Sequence, residues 1–437
     1  MLQTPVSKEQ VEKSVRQSGI ANLEKSTIRE IVGIVNNLQK ETGIKYIRME
    51  MGVPGLPAPE IGINGEIAAL KNGVAADYPM VDGVECLKTE ASRFIKNFIG
   101  VDVAAECCIP TVGSMQGGYA LFMICGSLDT QKDTALFIDP GFPVQKQQFD
   151  VLQLKYDGFD IYEHRGEKLR EKLESYLQKG NINSIIYSNP NNPSWVCLTD
   201  EELKIIGELA TKYDVLVIED LAYFAMDFRK NSYHPGKPPY QVSVANYTDN
   251  YALMISGSKA FSYAGQRIAV VCISDKIFHR KYPNLLKRFG REAFGATFVL
   301  RIIYALSSGV CHSTQYGFAA MLKATNDGQY DFINEVSYYA QKAQIMKKMF
   351  ADAGFYIVYD KDIDQDIADG FYFTIAYPNM TGGELLSELL CYGISAITLS
   401  DTGSDKNEGL RACVSQVKME QMPILEERLK FFKENHK

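Results

Sequence analysis

The sequence has little of what would take it out of the ordinary enzyme class. It holds one tryptophan, five histidines and nine cysteines in 437 residues. The cysteines are odd in number and scattered, only Cys107 and Cys108 are adjacent, and no C-x-x-C pair occurs. Such a set in a long chain reads as reduced thiols, not a disulfide framework. His164, His234, His279, His312 and His436 stand apart from one another and from paired cysteines, so no metal site is expected. No apolar run approaches the ~18 residues that span a bilayer, and the opening MLQTPVSKEQVEKS lacks the apolar stretch of a signal peptide. These absences point to a cytoplasmic protein with no membrane partner. Positive charge is also short, with 46 Lys plus Arg against 53 Asp plus Glu and a net charge of -7. A chain without a cationic field is a poor ligand for polyanions, which argues against nucleic acid as a partner.

What is present is the composition of a globular protein, 46% hydrophobic and 23% charged, which excludes disorder, collagen and low complexity. No repeat and no linker rich in Pro, Gly or Ser divides the chain. Residues 24–40 carry apolar side chains at helical spacing (Ile28, Ile31, Val32, Ile34, Val35, Leu38), predicting one amphipathic helix. From about 105 onward, β-rich runs alternate with helical ones: CCIPTV, ALFID, VLQLKY, SIIYS, VLVIED, ALMIS and IAVVCIS. Nearly continuous apolarity suits strands covered on both faces by helices. Thr199 followed by Glu202 forms a capping box ahead of Leu203, Ile206 and Leu209, so SIIYS, helix and VLVIED form a crossover unit. Past 275 the pattern turns helical, and GFYFTIAYP and GLRACVSQV read as later strands. The expected fold is α/β: a large, mostly parallel, seven-stranded type of sheet sandwiched by helices over 50–325, and a smaller α+β domain from 1–49 and 326–437.

In such a sheet ligands bind beyond the carboxyl ends of the strands. After CCIPTV comes a glycine turn, Gly113, Ser114, Met115, Gln116, Gly117, Gly118, leading into the helical YALFMIC. A strand-to-helix glycine turn frees backbone N–H groups for a phosphate, although most such turns are merely tight connections. It does not match the dinucleotide pattern G-x-G-x-x-G. After SIIYS come Asn189 to Ser194, after VLVIE come Asp220 and Tyr223, and after ALMI come Ser256, Gly257, Ser258 and Lys259, with Gly265 and Arg267 beyond. Singly these read as a rigid turn, a helix cap and a solvated lysine. Together they supply an amine, a carboxylate, a phenol, a carboxamide, an arginine and a phosphate turn. Pyridoxal 5'-phosphate needs that set: a lysine for its Schiff base, an acid at the pyridine nitrogen, donors to its 3'-oxygen and a phosphate clamp.

The set, in this order, resembles the fold-type I aminotransferases of class I and II, from about residue 45 to the C-terminus. In the family's S-x-S-K...G-x-R pattern, matched by Ser256, Ser258, Lys259, Gly265 and Arg267, the resemblance makes Lys259 the aldimine lysine, with Ser256 and Arg267 on the phosphate. It likewise implies Asp220 at the ring nitrogen, Tyr223 and Asn192 at the 3'-oxygen, and Gly113, Ser114 and Met115 as the phosphate cup. Phe142 in DPGFP resembles the ring-stacking aromatic and reads equally as core. Arg411 in GLRACVS resembles the arginine that grips the substrate α-carboxylate, with a surface arginine as the other reading. Gly52 in MGVPG resembles the mobile loop over the substrate. Tyr78 and Gly83 in DYPMVDG resemble a segment whose tyrosine reaches the partner subunit's phosphate, implying a homodimer with shared active sites.

Three positions depart from the family pattern. Trp195 ends N-P-S-W where the family has glycine, Ala269 replaces a glycine, and Lys88 replaces an arginine. Trp195 reads either as lining the active-site mouth or as packing. The function implied is ping-pong amino transfer between an L-amino acid and a 2-oxo acid. A pyridoxal-phosphate lyase or decarboxylase is the alternative, and a non-enzymatic cofactor-sensing regulator ranks below both. Arg288 and Arg291 read as a contact for a distal substrate carboxylate or as a solvated basic face.

Overall fold

In the computed structural model, which describes residues 4–436, the seven apolar runs form one seven-stranded sheet. Its spatial order is Cys108–Thr111, Ala269–Ile273, Tyr251–Ser256, Leu216–Asp220, Ile182–Ser188, Thr134–Asp139 and Lys155–Asp160. All neighbours pair in parallel except Ala269–Ile273, which runs antiparallel to both of its partners. Six of the strands are nearly all buried on both faces, and the edge strand Lys155–Asp160 is the exception. Leu136, Ile138, Val217, Leu253 and Val270 join one core, while Ala135, Phe137, Ile218, Ala252 and Val271 join the other. Each large side chain so buried contributes about 1.5–3 kcal/mol.

The helix Asp200–Tyr213 starts at the expected cap, where the Thr199 hydroxyl accepts from the Glu202 N–H and the Glu202 carboxylate accepts from Thr199. The Glu202 carboxylate also takes two charged hydrogen bonds from Arg165, at 2.7 and 2.9 Å. The helix expected within 24–40 runs Ile28–Thr42 from a second capping box at Thr27.

A four-stranded sheet and two two-stranded pairs make up the smaller unit. Tyr372–Ala376 pairs antiparallel with Leu410–Cys413, and Ile47–Arg48 pairs in parallel with Ile394–Ser395. This last pair joins the two distant ends of the sequence.

Three sequence expectations need correction. VLQLKY is not one strand: Val151 and Leu152 close the helix Pro143–Leu152, and the strand begins at Lys155 and runs to Asp160. This is an edge strand, so its burial begins only toward its end and its apolar signal is diluted. The glycine turn is shorter than it reads, because the helix Gly113–Cys125 begins at Gly113 and includes Gly117 and Gly118. Gly117 serves close packing: a Cβ there would lie 2.7 Å from Val271. The apolar stretch INEVSYYAQKAQIMKKMF breaks at Ser337 into two helices.

Candidate active site

The sheet register collects the singled-out residues at one edge. Asp220 lies opposite Ser188 and Met254, and Ala269 lies opposite both Thr111 and Ser256. Gly113 follows Thr111, Phe142 follows the strand ending at Asp139, Asn192 follows Ser188, Tyr223 follows Asp220 and Lys259 follows Ser256. Arg267 enters the same edge from the antiparallel strand.

Lys259 points its amine to the Gly52 carbonyl oxygen, which accepts its hydrogen bond, and lies 5.5 Å from the Phe371 ring centroid. Burial lowers its pKa to about 8, and the cations Arg411 and Arg267 push the same way against Cys413. The amine is therefore easily neutralised, as a nucleophile requires. The sign of the stability effect follows. Below pH 8 both folded and unfolded chains hold this proton, and the folded chain carries the full cost of a buried cation. Between about 8 and the ordinary lysine range near 10.4 the unfolded chain binds more protons, so stability rises with pH. Lys259→Met is expected to raise the urea midpoint of the cofactor-free protein at pH 7, with the advantage shrinking above pH 8. A constant or widening gap would contradict the burial.

Asp220 is 8% exposed. Its carboxylate accepts from the Gln145 amide and the Ala222 N–H, both at 3.1 Å. Among the described residues it has no cationic partner, and burial raises its pKa to about 6. Arg411 presents the converse, a buried cation at 3% exposure whose guanidinium meets only neutral acceptors, Asn192 Oδ1 at 3.2 Å and the Glu50 carbonyl at 2.7 Å. Its Nε has no partner. Arg411 is thus no surface arginine: it is held on the strand Leu410–Cys413, with its Cζ 4.5 Å from the Tyr372 ring centroid.

At the other end of the site, Gly113 takes φ +66°, and a Cβ there would lie 2.4 Å from Arg267 Nη2. Only glycine lets the guanidinium sit against the start of this helix. Ser114 Oγ is buried without a partner, and the Met115 carbonyl accepts from Gln148. Ser256 Oγ accepts from the Ser258 N–H at 3.1 Å. Phe142 is half-buried at the cap of Pro143–Leu152 and makes no ring contact among the described residues. Tyr78 is 92% exposed and is not brought to the other site residues of its own chain.

Four residues escaped the sequence reading. Gln145 holds Asp220. Tyr372 accepts the Tyr223 hydroxyl hydrogen bond at 2.8 Å, and its own hydroxyl would meet a Cβ on Gly52. Phe371 faces the lysine amine. Glu50 contributes its carbonyl to Arg411. None carried a signal, because each reaches the site from a segment remote in sequence. Trp195 packs and does not line the mouth: it is 0% exposed at φ +65°, 5.3 Å from the Tyr223 ring and 6.0 Å from that of Tyr372. Its indole occupies the room left by Gly370, where a Cβ would lie 2.1 Å away. Lys88 is buried and pairs with Asp82 at 2.5 Å. Arg288 binds Ser127 just past the far end of the helix Gly113–Cys125, roughly 20 Å from Gly113 at 1.5 Å per residue. That distance separates it from the phosphate cup of its own chain.

A sequence model of the family described as aminotransferase class I and II matches residues 54–429. A probable aspartate aminotransferase of Methanocaldococcus jannaschii is 25% identical over 346 residues, 78% of this chain and 83% of that protein. An LL-diaminopimelate aminotransferase of Halothermothrix orenii is 27% identical over 206 residues, 47% of this chain and about half, 52%, of that protein. Among solved structures, the aspartate aminotransferase from Thermus thermophilus with maleate superposes with a TM-score of 0.74 at 15% identity, covering 96% of this chain and 98% of that one. At that identity the likeness is one of fold.

Proposed function

The chain belongs to the class I and II aminotransferases and moves an amino group between an amino acid and a 2-oxo acid; from that premise we propose that pyridoxal 5'-phosphate is its cofactor and Lys259 its point of attachment. The observation that carries this reading is a pair of unmet buried charges on the lysine's edge of the sheet. Asp220 lacks a cation and Arg411 lacks an anion among the described residues. A buried charge without a counter-charge is costly, so each marks a place for one. A protonated pyridine nitrogen answers the first and a substrate carboxylate the second. Ser114 Oγ, unpartnered beside Arg267 and the helix start, suits a phosphate dianion. The residues present therefore fit the group.

When bound, the cofactor supplies an aldehyde that captures amines and a ring that draws electrons from the substrate's α-carbon. Asp220 holds the proton on the ring nitrogen, since an opposite charge favours the protonated form. Asn192 would donate to the 3'-oxygen, and Tyr223 would do so once its one hydroxyl proton turned from Tyr372, whose own hydroxyl could then donate to Tyr223. Gly113, Ser114, Met115, Ser256, Ser258 and Arg267 would hold the phosphate, and Phe142 would lie against the ring. Lys259, readily neutral, removes the α-proton and returns it on the other side of the transfer. Arg411 orients the substrate by its carboxylate, and Gly52 brings its carbonyl to the lysine amine beside it. The buried Trp195 and Tyr372 rings exclude water from the Tyr223 side.

The division into a unit of 50–325 and one of 1–49 and 326–437 is supported by the sheets, since every strand of the large sheet falls in the first and every remaining strand in the second. A homodimer is supported by the exposed Tyr78 and Met80. That segment packs beside Gly309, and neighbouring Ser307 accepts from Gln116 in the first turn of the phosphate helix. A cytoplasmic setting accords with nine free cysteines. Among the described residues no helix is long and apolar enough to cross a membrane.

The testing experiment screens amino donors, aspartate first because relatives carry its name, against 2-oxoglutarate and pyruvate with the cofactor-loaded protein. A new amino acid should accumulate without free ammonia or carbon dioxide; release of either in step with turnover would return the reading to elimination or decarboxylation. In the same assay Arg411→Gln is expected to raise the KM of the donor by about ten- to a hundredfold, the worth of a charge-assisted hydrogen bond. An unchanged KM would remove Arg411 from the substrate site.

A further inference from the structure

We propose that Glu106, Cys107 and His279 form a binding site for a divalent transition-metal ion, with zinc(II) the best chemical match, at the end of the large sheet remote from the lysine. One ligand atom from each of the three lies within 4.8 Å of the other two. The imidazole Nε2 of His279 and a carboxylate oxygen of Glu106 are already 3.2 Å apart. In tetrahedral zinc, with bonds of about 2.0–2.3 Å, neighbouring ligand atoms stand roughly 3.3–3.7 Å from one another. The histidine and carboxylate need no adjustment, and the sulfur needs a closure of about 1 Å. Glu106 and His279 can supply it, because both side chains are exposed and free to turn.

The fold explains the convergence. The short turn Ala105–Cys107 feeds the edge strand Cys108–Thr111, whose first residue pairs with Cys272 of the neighbouring strand. The helix Asp275–His279 begins just beyond that neighbour, so its last residue comes back over the turn. Asp275 lies beside the Cys107 thiol and accepts from the Ala104 N–H at 2.9 Å, so it braces the turn that carries the sulfur, and the fourth position is left to water. Thiolate, imidazole and carboxylate together select zinc-like ions over calcium or magnesium.

Binding is an exchange without electron transfer: the Cys107 thiol gives its proton to solvent, and a sulfur lone pair takes the metal. The ion then ties the entrance of the edge strand to the helix after its neighbour. The four residues of that strand separate the ion from Gly113 by about 13 Å at 3.3 Å per residue, so its effect is on the stability of the strand that leads into the phosphate cup. The site revises the sequence expectation that His279 stands alone.

The probe is cobalt(II), then zinc(II), added to the cofactor-loaded protein. Tetrahedral cobalt with a sulfur ligand absorbs in the red, away from the cofactor. One equivalent is expected to bind, with affinity falling more than about tenfold in His279→Ala and in Cys107→Ser, and unchanged in Cys311→Ser, which removes an exposed thiol elsewhere. Zinc should raise the unfolding midpoint of the parent protein and not that of His279→Ala. His279 is exposed, so this variant tests the site without disturbing the core around the buried Cys107. Absence of the red bands, or bands that survive His279→Ala, would overturn the proposal.

Discussion

Lys259→Ala is expected to cut amino-transfer turnover by about 10⁴-fold or more while the protein stays folded. Two contributions disappear together. On the proposed reading the amine captures the cofactor aldehyde and is also the base that moves the α-proton, worth about 10²–10⁴ on its own. The fold should persist because the lysine is a cost to the cofactor-free protein, its burial having lowered its pKa to about 8. The measurement is single-turnover transfer from the best donor, with circular dichroism as the folding control and cofactor absorbance as the binding readout. A variant that turns over within tenfold of the parent would leave the assignment of Lys259 without support. A variant that loses the lysine-linked absorbance band yet still binds the vitamer is the expected companion result, since Arg267, Asp220 and the phosphate cup remain.

The second large effect is at Asp220. Asp220→Asn keeps the size of the side chain and the hydrogen bond from the Ala222 N–H, and the Gln145 amide need only turn over to accept from the new NH2, but the negative charge is removed. Loss of one preorganised electrostatic stabiliser costs about 10²–10³ in kcat, and that is the expected drop. Stability should move the other way. The Asp220 pKa is raised to about 6, above its unfolded value near 3.9, so the folded chain binds the extra proton between those limits and stability falls as pH rises through 6. Above pH 6 the cofactor-free parent carries the whole cost of a buried, unpaired carboxylate, and the asparagine variant carries none. At pH 7 the variant should therefore be slower and, without cofactor, more resistant to urea. An active variant, or one destabilised without cofactor at pH 7, would mean that the carboxylate is held by a partner other than the ring.

The two buried charges also explain why a polar set of this kind survives inside an apolar sheet edge. Among the described residues Asp220 and Arg411 each lack a counter-charge, and on the proposed reading the reaction's own groups would provide them. The folded protein is thereby tuned to its ligands, and cofactor binding is coupled to stability by mass action.

Much of this was legible in the sequence because local chemistry wrote it there. The Thr199 and Thr27 capping boxes and the both-faced strands are short-range patterns with one physical meaning each. The strand-end order of Gly113, Asn192, Asp220, Tyr223, Lys259 and Arg267 is also visible, because a parallel sheet exposes its carboxyl ends on one side. Where strands lie at an edge the signal weakens, and for that reason VLQLKY does not show where its strand begins.

Tertiary structure alone decided the rest. Arg411 reads as surface or site until the antiparallel pairing of Tyr372–Ala376 with Leu410–Cys413 buries it. Trp195 reads as mouth or core until Gly370, 175 positions away, opens the space that takes its indole. Gln145, Tyr372 and the Glu50 carbonyl meet the site from three separate segments, and Glu106 and Cys107 meet His279 across two strands. Sequence determines what a residue can do and which element carries it. Which residues become neighbours depends on pairing and packing between segments whose separation along the chain leaves no local periodicity to read.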